Sequence, residues 1–196
     1  MTKKIMHYLP HSYAPFFRAL HIAIALLIAG QIINSNFIEA EALNSAGLPA
    51  LVTWLHAISG LLLLVLGAIL LTWMLTQRGI KWYYPWIFFR FDQIERDIHQ
   101  IVRLRLPAAS NGGLAATVQG LGVIALLLVA SSGGVWLAAE RYFPAYYSDA
   151  ELILHWNKLL TTFVEIYLYS HGCMGLIHIF LHYKSSSADF YHSGKR

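Results

Sequence analysis

Four long apolar stretches dominate this sequence, at about residues 14–33, 48–75, 114–139 and 152–183. A helix needs about 20 apolar residues to cross the hydrocarbon core of a bilayer, and each stretch reaches that length. Because backbone polar groups in a bilayer must be bonded internally, stretches of this kind form helices. Short connections join them into one compact unit. The sequence therefore predicts an all-α fold, a four-helix transmembrane bundle that forms a single domain over residues 1–196.

Composition and charge support a membrane location. Hydrophobic residues make up 57% of the chain and charged residues 12%, which is far from the balance of a soluble domain. Twelve of the 14 Lys and Arg residues lie at the chain ends or between the second and third stretches. Basic residues favour the cytoplasmic side, so we expect a multi-pass membrane protein with both termini in the cytoplasm. The net charge of +4 is then explained by membrane lipid, and no nucleic-acid partner is expected.

The segment between the second and third stretches has a different pattern. Apolar residues recur there at helical spacing and basic residues lie between them, until Pro107 ends the run. This pattern predicts an amphipathic surface helix on the cytoplasmic face. Four aromatic residues just before it are predicted to be anchors at the membrane interface: Trp82, Tyr83, Tyr84 and Trp86.

Six histidines lie in or near the apolar stretches: His21, His56, His155, His171, His178 and His182. A single histidine in a membrane helix is often only a hydrogen-bond partner of a neighbouring helix. Because the first and fourth helices run antiparallel, however, His21 lies at the same depth as His171. By the same argument, His56 lies level with residues 155–157. The histidines are thus predicted to form two levels, one near each face of the membrane.

Small residues accompany three of these histidines. Ala25, Gly60 and Gly175 each follow a histidine by four residues, which places them on the same helical face. A porphyrin needs open volume beside its ligands, although small residues are also common wherever membrane helices pack closely. Two separated pairs of histidines favour haem over zinc, since a closed zinc site has about four converging ligands. The chain has a single cysteine, so any haem is held by side chains and is not covalently attached.

These residues resemble the bacterial cytochrome b561 family, related to the cytochrome b subunits of nickel–iron hydrogenase and formate dehydrogenase. The matching motifs are Arg18-Ala-Leu-His21, His56-Ala-Ile-Ser-Gly60, and His171 followed seven residues later by His178. The resemblance implies haem b on the cytoplasmic side with His21 and His171 as axial ligands. It also implies that His56 is one ligand of an outer haem and that His178 is a nearby polar residue.

One position departs from the family pattern. The family's fourth ligand stands fourteen residues before the position of His171, where this chain has Asn157 after Trp156. The remaining candidate is His155, which is rotated by about 160° from His171 in an unbroken helix. We therefore predict a second haem between His56 and His155, provided that the helix begins later or carries a π-bulge near Trp156.

Two further polar groups are candidate cofactor contacts. Arg18 lies one turn before His21, where it either pairs with a haem propionate or extends to the membrane interface. His178 and His182, with nearby arginines of the cytoplasmic layer, are candidates for a quinone pocket. Quinone is accordingly a predicted substrate.

The predicted function is electron transfer between the quinone pool and a redox partner through bis-histidine haem b. A periplasmic redox protein or a dehydrogenase subunit is the expected partner, and the exposed apolar helix faces leave a homodimer open. Whether the chain is itself a quinone-linked oxidoreductase is left open. The alternatives are a haem-free membrane anchor that docks a partner, or a small transporter that uses Lys158 and Glu165.

Overall fold

The computed structural model describes residues 15–38, 43, 46–103, 105, 107, 112–142 and 147–193. Within the last of these ranges, side chains are described for 151–177 and 180. The described part of the chain is entirely helical, with turns between the helices.

Four long helices form the body of the molecule: α1 (Pro15–Ser35), α2 (Leu48–Arg78), α5 (Gly113–Tyr142) and α6 (Tyr147–Ser193). Between α2 and α5 lie a short helix α3 (Ile80–Tyr83), a 3-10 turn (Pro85–Phe88) and the surface helix α4 (Asp92–Val102). The long helices follow the apolar stretches and extend past them at the ends, because polar residues such as Gln77 and Arg78 continue the helical hydrogen bonding.

The long helices pack in sequence order and run antiparallel to their neighbours. Contacts are extensive between α1 and α2, between α2 and α5, and between α5 and α6. Between α1 and α6, by contrast, the described residues make few contacts. The described part of the bundle is therefore open along one side, and this opening between α1 and α6 is called the α1–α6 slot below.

Three of the long helices, α1, α2 and α5, are long and apolar enough to cross a membrane when the described residues are considered. Large apolar side chains point outward along them, for example Leu26, which is 69% exposed. Such surfaces suit a lipid environment. The fourth predicted span, 152–183, is helical within α6, and the described part of α6 also carries Lys158, Glu165 and histidines. The chain is thus a multi-pass membrane protein, and a crossing by α6 is part of the proposal below.

Among the described residues, the main cluster of buried apolar side chains lies in one half of the bundle. It is formed by the start of α1, the second half of α2 and the start of α5, next to the α2–α5 connection. Met74, which is 1% exposed, is at its centre. This end of the bundle is called the α4 half, and the end near the α1–α2 connection is called the far half.

Helix α4 is fixed to the bundle by a buried carboxylate. Asp97 is 2% exposed and accepts hydrogen bonds from Leu114 N at 2.8 Å and from Gln93 Nε2 at 2.8 Å. The first bond satisfies a free N–H group at the start of α5, where a negative charge is also favoured by the helix dipole. Gly113 has φ +66° and lies against this carboxylate so closely that a side chain there would overlap it.

Tyr83 and Tyr84 are buried, so the prediction that they are interfacial anchors is wrong. They are 7% and 3% exposed, and both pack against Gly120 of α5. Tyr84 Oη donates a hydrogen bond to Gly120 O at 3.1 Å. Burial, reinforced by the neighbouring Tyr83, raises the pKa of Tyr84, so the phenol keeps the proton that it donates.

Candidate histidine site

Two histidine rings face each other across the α1–α6 slot. The centroids of His21 on α1 and His171 on α6 are 6.1 Å apart, with an interplanar angle of 65°. Each lies in the α4 half, at the same depth, as the antiparallel arrangement predicts. The sequence thus identified two residues 150 positions apart that the fold brings into contact.

Each of these two rings also stacks on an aromatic ring one turn earlier in its own helix. Phe17 stacks on His21 with centroids 6.2 Å apart and planes 18° apart. Tyr167 stacks on His171 at 5.2 Å and 12°. Offset stacking at these separations is favourable for aromatic pairs. Neither ring was predicted from the sequence, although an aromatic residue four positions before a histidine on two helices is a visible signal.

Tyr167 is held from the other side by α5. Its ring lies against Gly122, which is buried, and a Cβ at Gly122 would overlap the ring. The Tyr167 ring packs in the space that Gly122 leaves free, and it stacks on His171 from there.

The slot beside His171 is open. A Cβ at Gly172 or at Gly175 would meet no atom within 4 Å among the described residues. Arg18, one turn before His21, is half-buried and takes part in no ion pair with any described side chain. Within the described part of the chain, the site thus combines two facing imidazoles, open space beside one of them and a nearby cation, Arg18, that forms no ion pair there.

The geometry of this pair fits a metal-centred group between the rings. An imidazole nitrogen lies about 2 Å from the metal that it binds, and its ring centre lies about 1 Å further back. Two opposed imidazoles on one metal therefore have ring centres roughly 6 Å apart, close to the 6.1 Å between His21 and His171. Within the described residues, no group of three or more His, Cys, Asp or Glu side chains could hold a bare metal ion. A closed zinc site needs about four protein ligands, whereas a metal already bound in a porphyrin needs only two. The histidine pair therefore suits a porphyrin-bound metal better than it suits zinc.

The level of His56, in the far half, is arranged differently. Gln31 Nε2 donates a hydrogen bond to His56 O at 2.9 Å and a second one to Ser59 Oγ. Gln31 Oε1 also lies 3.9 Å from the position of a Cβ on Gly60, so its side chain borders the space beside that glycine. The Nδ1 atom of His56 is buried and has no hydrogen-bond partner within the described part of the chain.

The side chains predicted to face His56 are occupied elsewhere. Asn157 Nδ2 donates to Val129 O at 2.8 Å and to Ser132 Oγ at 3.0 Å, which ties α6 to α5. His155 is exposed, and its ring meets that of Trp156 edge-on at 6.3 Å. Helix α6 passes through these positions as a regular α-helix, without the late start or π-bulge that would turn His155 inward. In this conformation the far level does not fit a haem between His56 and His155.

Two other predicted groups can be located in part. His178 lies in α6, but its side chain is outside the described residues, as is that of His182. Lys158 and Glu165 form no ion pair with any side chain in the described ranges, and seven residues separate them by about 10 Å along a helix. A transporter function based on this pair therefore gains no support from the structure.

Comparison with known proteins gives one family. The family model described as prokaryotic cytochrome b561 matches residues 12–188, which include all four long helices almost completely. No curated protein and no solved structure matches the chain.

Proposed function

Because the chain belongs to the prokaryotic cytochrome b561 family, a family of membrane b-type cytochromes in electron transfer, we propose that it binds haem b between His21 and His171. The observation that carries this proposal is the 6.1 Å separation of the two rings across the α1–α6 slot. The family implies haem b, and these two rings are the described pair whose spacing and surroundings suit it. The predicted ligand assignment and the geometry therefore point to the same residues.

The protein's own residues have three tasks at this site. His21 and His171 hold the cofactor from opposite sides through neutral imidazole nitrogens. When bound, haem b would supply one-electron exchange, and His21 and His171 would continue to hold it in both oxidation states. Arg18 supplies a positive charge one turn away, suited to a propionate carboxylate. The apolar core around Met74 keeps water away from the neighbouring part of the bundle.

A second haem between His56 and His155 stays a prediction from the sequence. It is supported by the buried Nδ1 of His56, which has no hydrogen-bond partner among the described residues, since an unpaired polar atom in a dry bundle is costly. It requires Gln31 to leave the space beside Gly60 and α6 to turn His155 inward. Pyridine-haemochrome analysis tests this prediction by counting haems per chain. Two haems in the native protein and one in His155→Ala would support the second haem. A single haem that is retained in both His155→Ala and His56→Ala would exclude it.

The membrane arrangement completes the proposal. All four long helices cross the bacterial inner membrane, both termini are cytoplasmic, and the α4 half faces the cytoplasm. We expect a labelling reagent that does not cross membranes to reach Asn36→Cys from outside and Gln77→Cys only from inside, in a Cys173→Ser background. Quinone is the proposed membrane partner, with His178 near its pocket, and a periplasmic redox protein or a dehydrogenase subunit is the second partner.

The experiment for the central function is a reduced-minus-oxidised visible spectrum of the purified protein. Sharp bands of a six-coordinate b-type cytochrome are expected. A colourless protein, prepared with haem available during expression, would overturn the proposal and leave the haem-free membrane anchor as the function.

A further inference from the structure

The histidine pair is flanked by its two stacked rings at opposite ends. Helices α1 and α6 run in opposite directions, and Phe17 and Tyr167 each precede their histidine by four residues. Phe17 therefore lies on the side of the α4 half, while Tyr167 lies on the side of the far half. Each imidazole is supported by one ring along the bundle axis, and the two supports are on opposite sides of the pair.

An imidazole bound to iron can rotate about its iron–nitrogen bond unless neighbouring groups prevent it. A ring stacked at 12°, as Tyr167 is on His171, limits this rotation because turning would push one ring edge into the other. Groups around a metal ligand commonly fix its orientation in this way. Tyr167 is itself held against Gly122, so the constraint on His171 reaches back to the backbone of α5.

We propose that Phe17 and Tyr167 are positioning residues that hold the two axial imidazoles in crossed planes. This inference rests on the proposed binding of haem between His21 and His171. The two rings that they support are 65° apart, which is far from parallel. Phe17 acts on His21 and Tyr167 acts on His171, and neither touches the iron.

The relative orientation of two axial imidazoles has a spectroscopic signature. In oxidised low-spin haem, parallel imidazole planes separate the energies of the iron d orbitals and give a rhombic electron paramagnetic resonance signal. Crossed planes leave those orbitals close in energy and give a highly anisotropic signal with one very large g value. The native protein is therefore expected to show the highly anisotropic signal for the haem held by His21 and His171. Recording it in a His56→Ala background removes any contribution from a haem at the far level.

The test compares four variants in that background, each with its haem content measured. Tyr167→Leu removes the supporting ring, and Gly122→Ala displaces it from α5 without removing it. Both should move the signal toward the rhombic type at unchanged haem content, because a freed imidazole samples smaller interplanar angles. Tyr167→Phe keeps the ring and should keep the native signal, as should the matched control Tyr169→Leu, since Tyr169 is 64% exposed and lies two residues from His171.

The outcomes separate this inference from the proposed function. A native rhombic signal would overturn the positioning role, and so would an unchanged signal in Tyr167→Leu at full haem content. If Tyr167→Leu does not retain haem, Gly122→Ala provides the same test, and an unchanged signal there overturns the role. Absence of any low-spin haem signal from the native protein would instead refute the proposed haem site.

Discussion

Different interactions join the helices in the two halves of the bundle. In the α4 half, tightly packed apolar side chains such as Met74 fill the space between α1, α2 and α5. In the far half, amide side chains join the helices: Gln31 links α1 to α2, and Asn157 links α6 to α5. Asn34 adds a third such link, its Nδ2 donating to Val52 O at 3.3 Å.

This difference explains how the two levels of histidines differ. In the α4 half, the core lies beside the α1–α6 slot and leaves the slot open next to His171. In the far half, Gln31 lies beside Gly60, where a second cofactor would need space. Asn157, at the predicted ligand position, donates its hydrogen bonds to α5. Apolar packing holds the α4 half together and leaves the α1–α6 slot open. In the far half, the amide side chains that join the helices lie at the level where a second cofactor would bind.

The largest effect should come from weakening the apolar core. Met74→Ala removes a side chain that is 1% exposed and should lower the free energy of unfolding by about 2 kcal/mol or more. Thermal unfolding in detergent measures the change. Leu55→Ala in the far half is the control, because Leu55 is 54% exposed and faces outward. Equal losses in the two variants would contradict the placement of the core in the α4 half.

Removing the carboxylate that fixes α4 should have an intermediate effect. Asp97→Ala leaves Leu114 N without its acceptor and should cost about 1–2 kcal/mol. Asp97→Asn keeps an acceptor oxygen and should cost less. The control is Asp92→Ala, since Asp92 is exposed at the start of α4. Hydrogen exchange should show faster opening of α4 in Asp97→Ala than in Asp92→Ala, and the same rate in both would refute the anchoring role.

The smallest effect should come from a single amide link in the far half. Hydrogen bonds between membrane helices contribute on average about 0.6 kcal/mol each, so Asn157→Ala, which removes two, should lower stability by about 1 kcal/mol. Lys158→Ala, at an exposed neighbouring position, is the control. If Asn157→Ala lowered the free energy of unfolding as much as Met74→Ala does, the stability of the far half would depend mainly on this one side chain and not on several amides together.

Much of this arrangement could be predicted from the sequence. Apolar length gave the four long helices, and antiparallel order gave the common depth of His21 and His171. The amphipathic helix was expected from apolar residues at helical spacing, and the structure confirms a helix at Asp92–Val102. These features depend on periodicity and length, which the sequence displays directly.

Other features depend on which polar atom meets which partner, and periodicity does not specify that. Asp97 lies on the apolar face of α4, three residues after Ile94. Its role as the acceptor for Leu114 N could not be predicted, because the start of α5 that supplies this donor is distant in the sequence. The small residue at Gly60 suggested open space, but Gln31 from another helix borders that space. The stacking of Tyr167 needed the position of Gly122, 45 residues earlier in the chain.

The most direct measurement of the central claim is the haem content of His21→Ala and of His171→Ala, each purified from the membrane fraction. The account predicts that both variants insert at native levels and that both lose the same haem, because one iron needs both imidazoles. His99→Ala, at an exposed position on α4, should keep the native content and spectrum. Full haem content with an unchanged spectrum in both His21→Ala and His171→Ala would contradict the account.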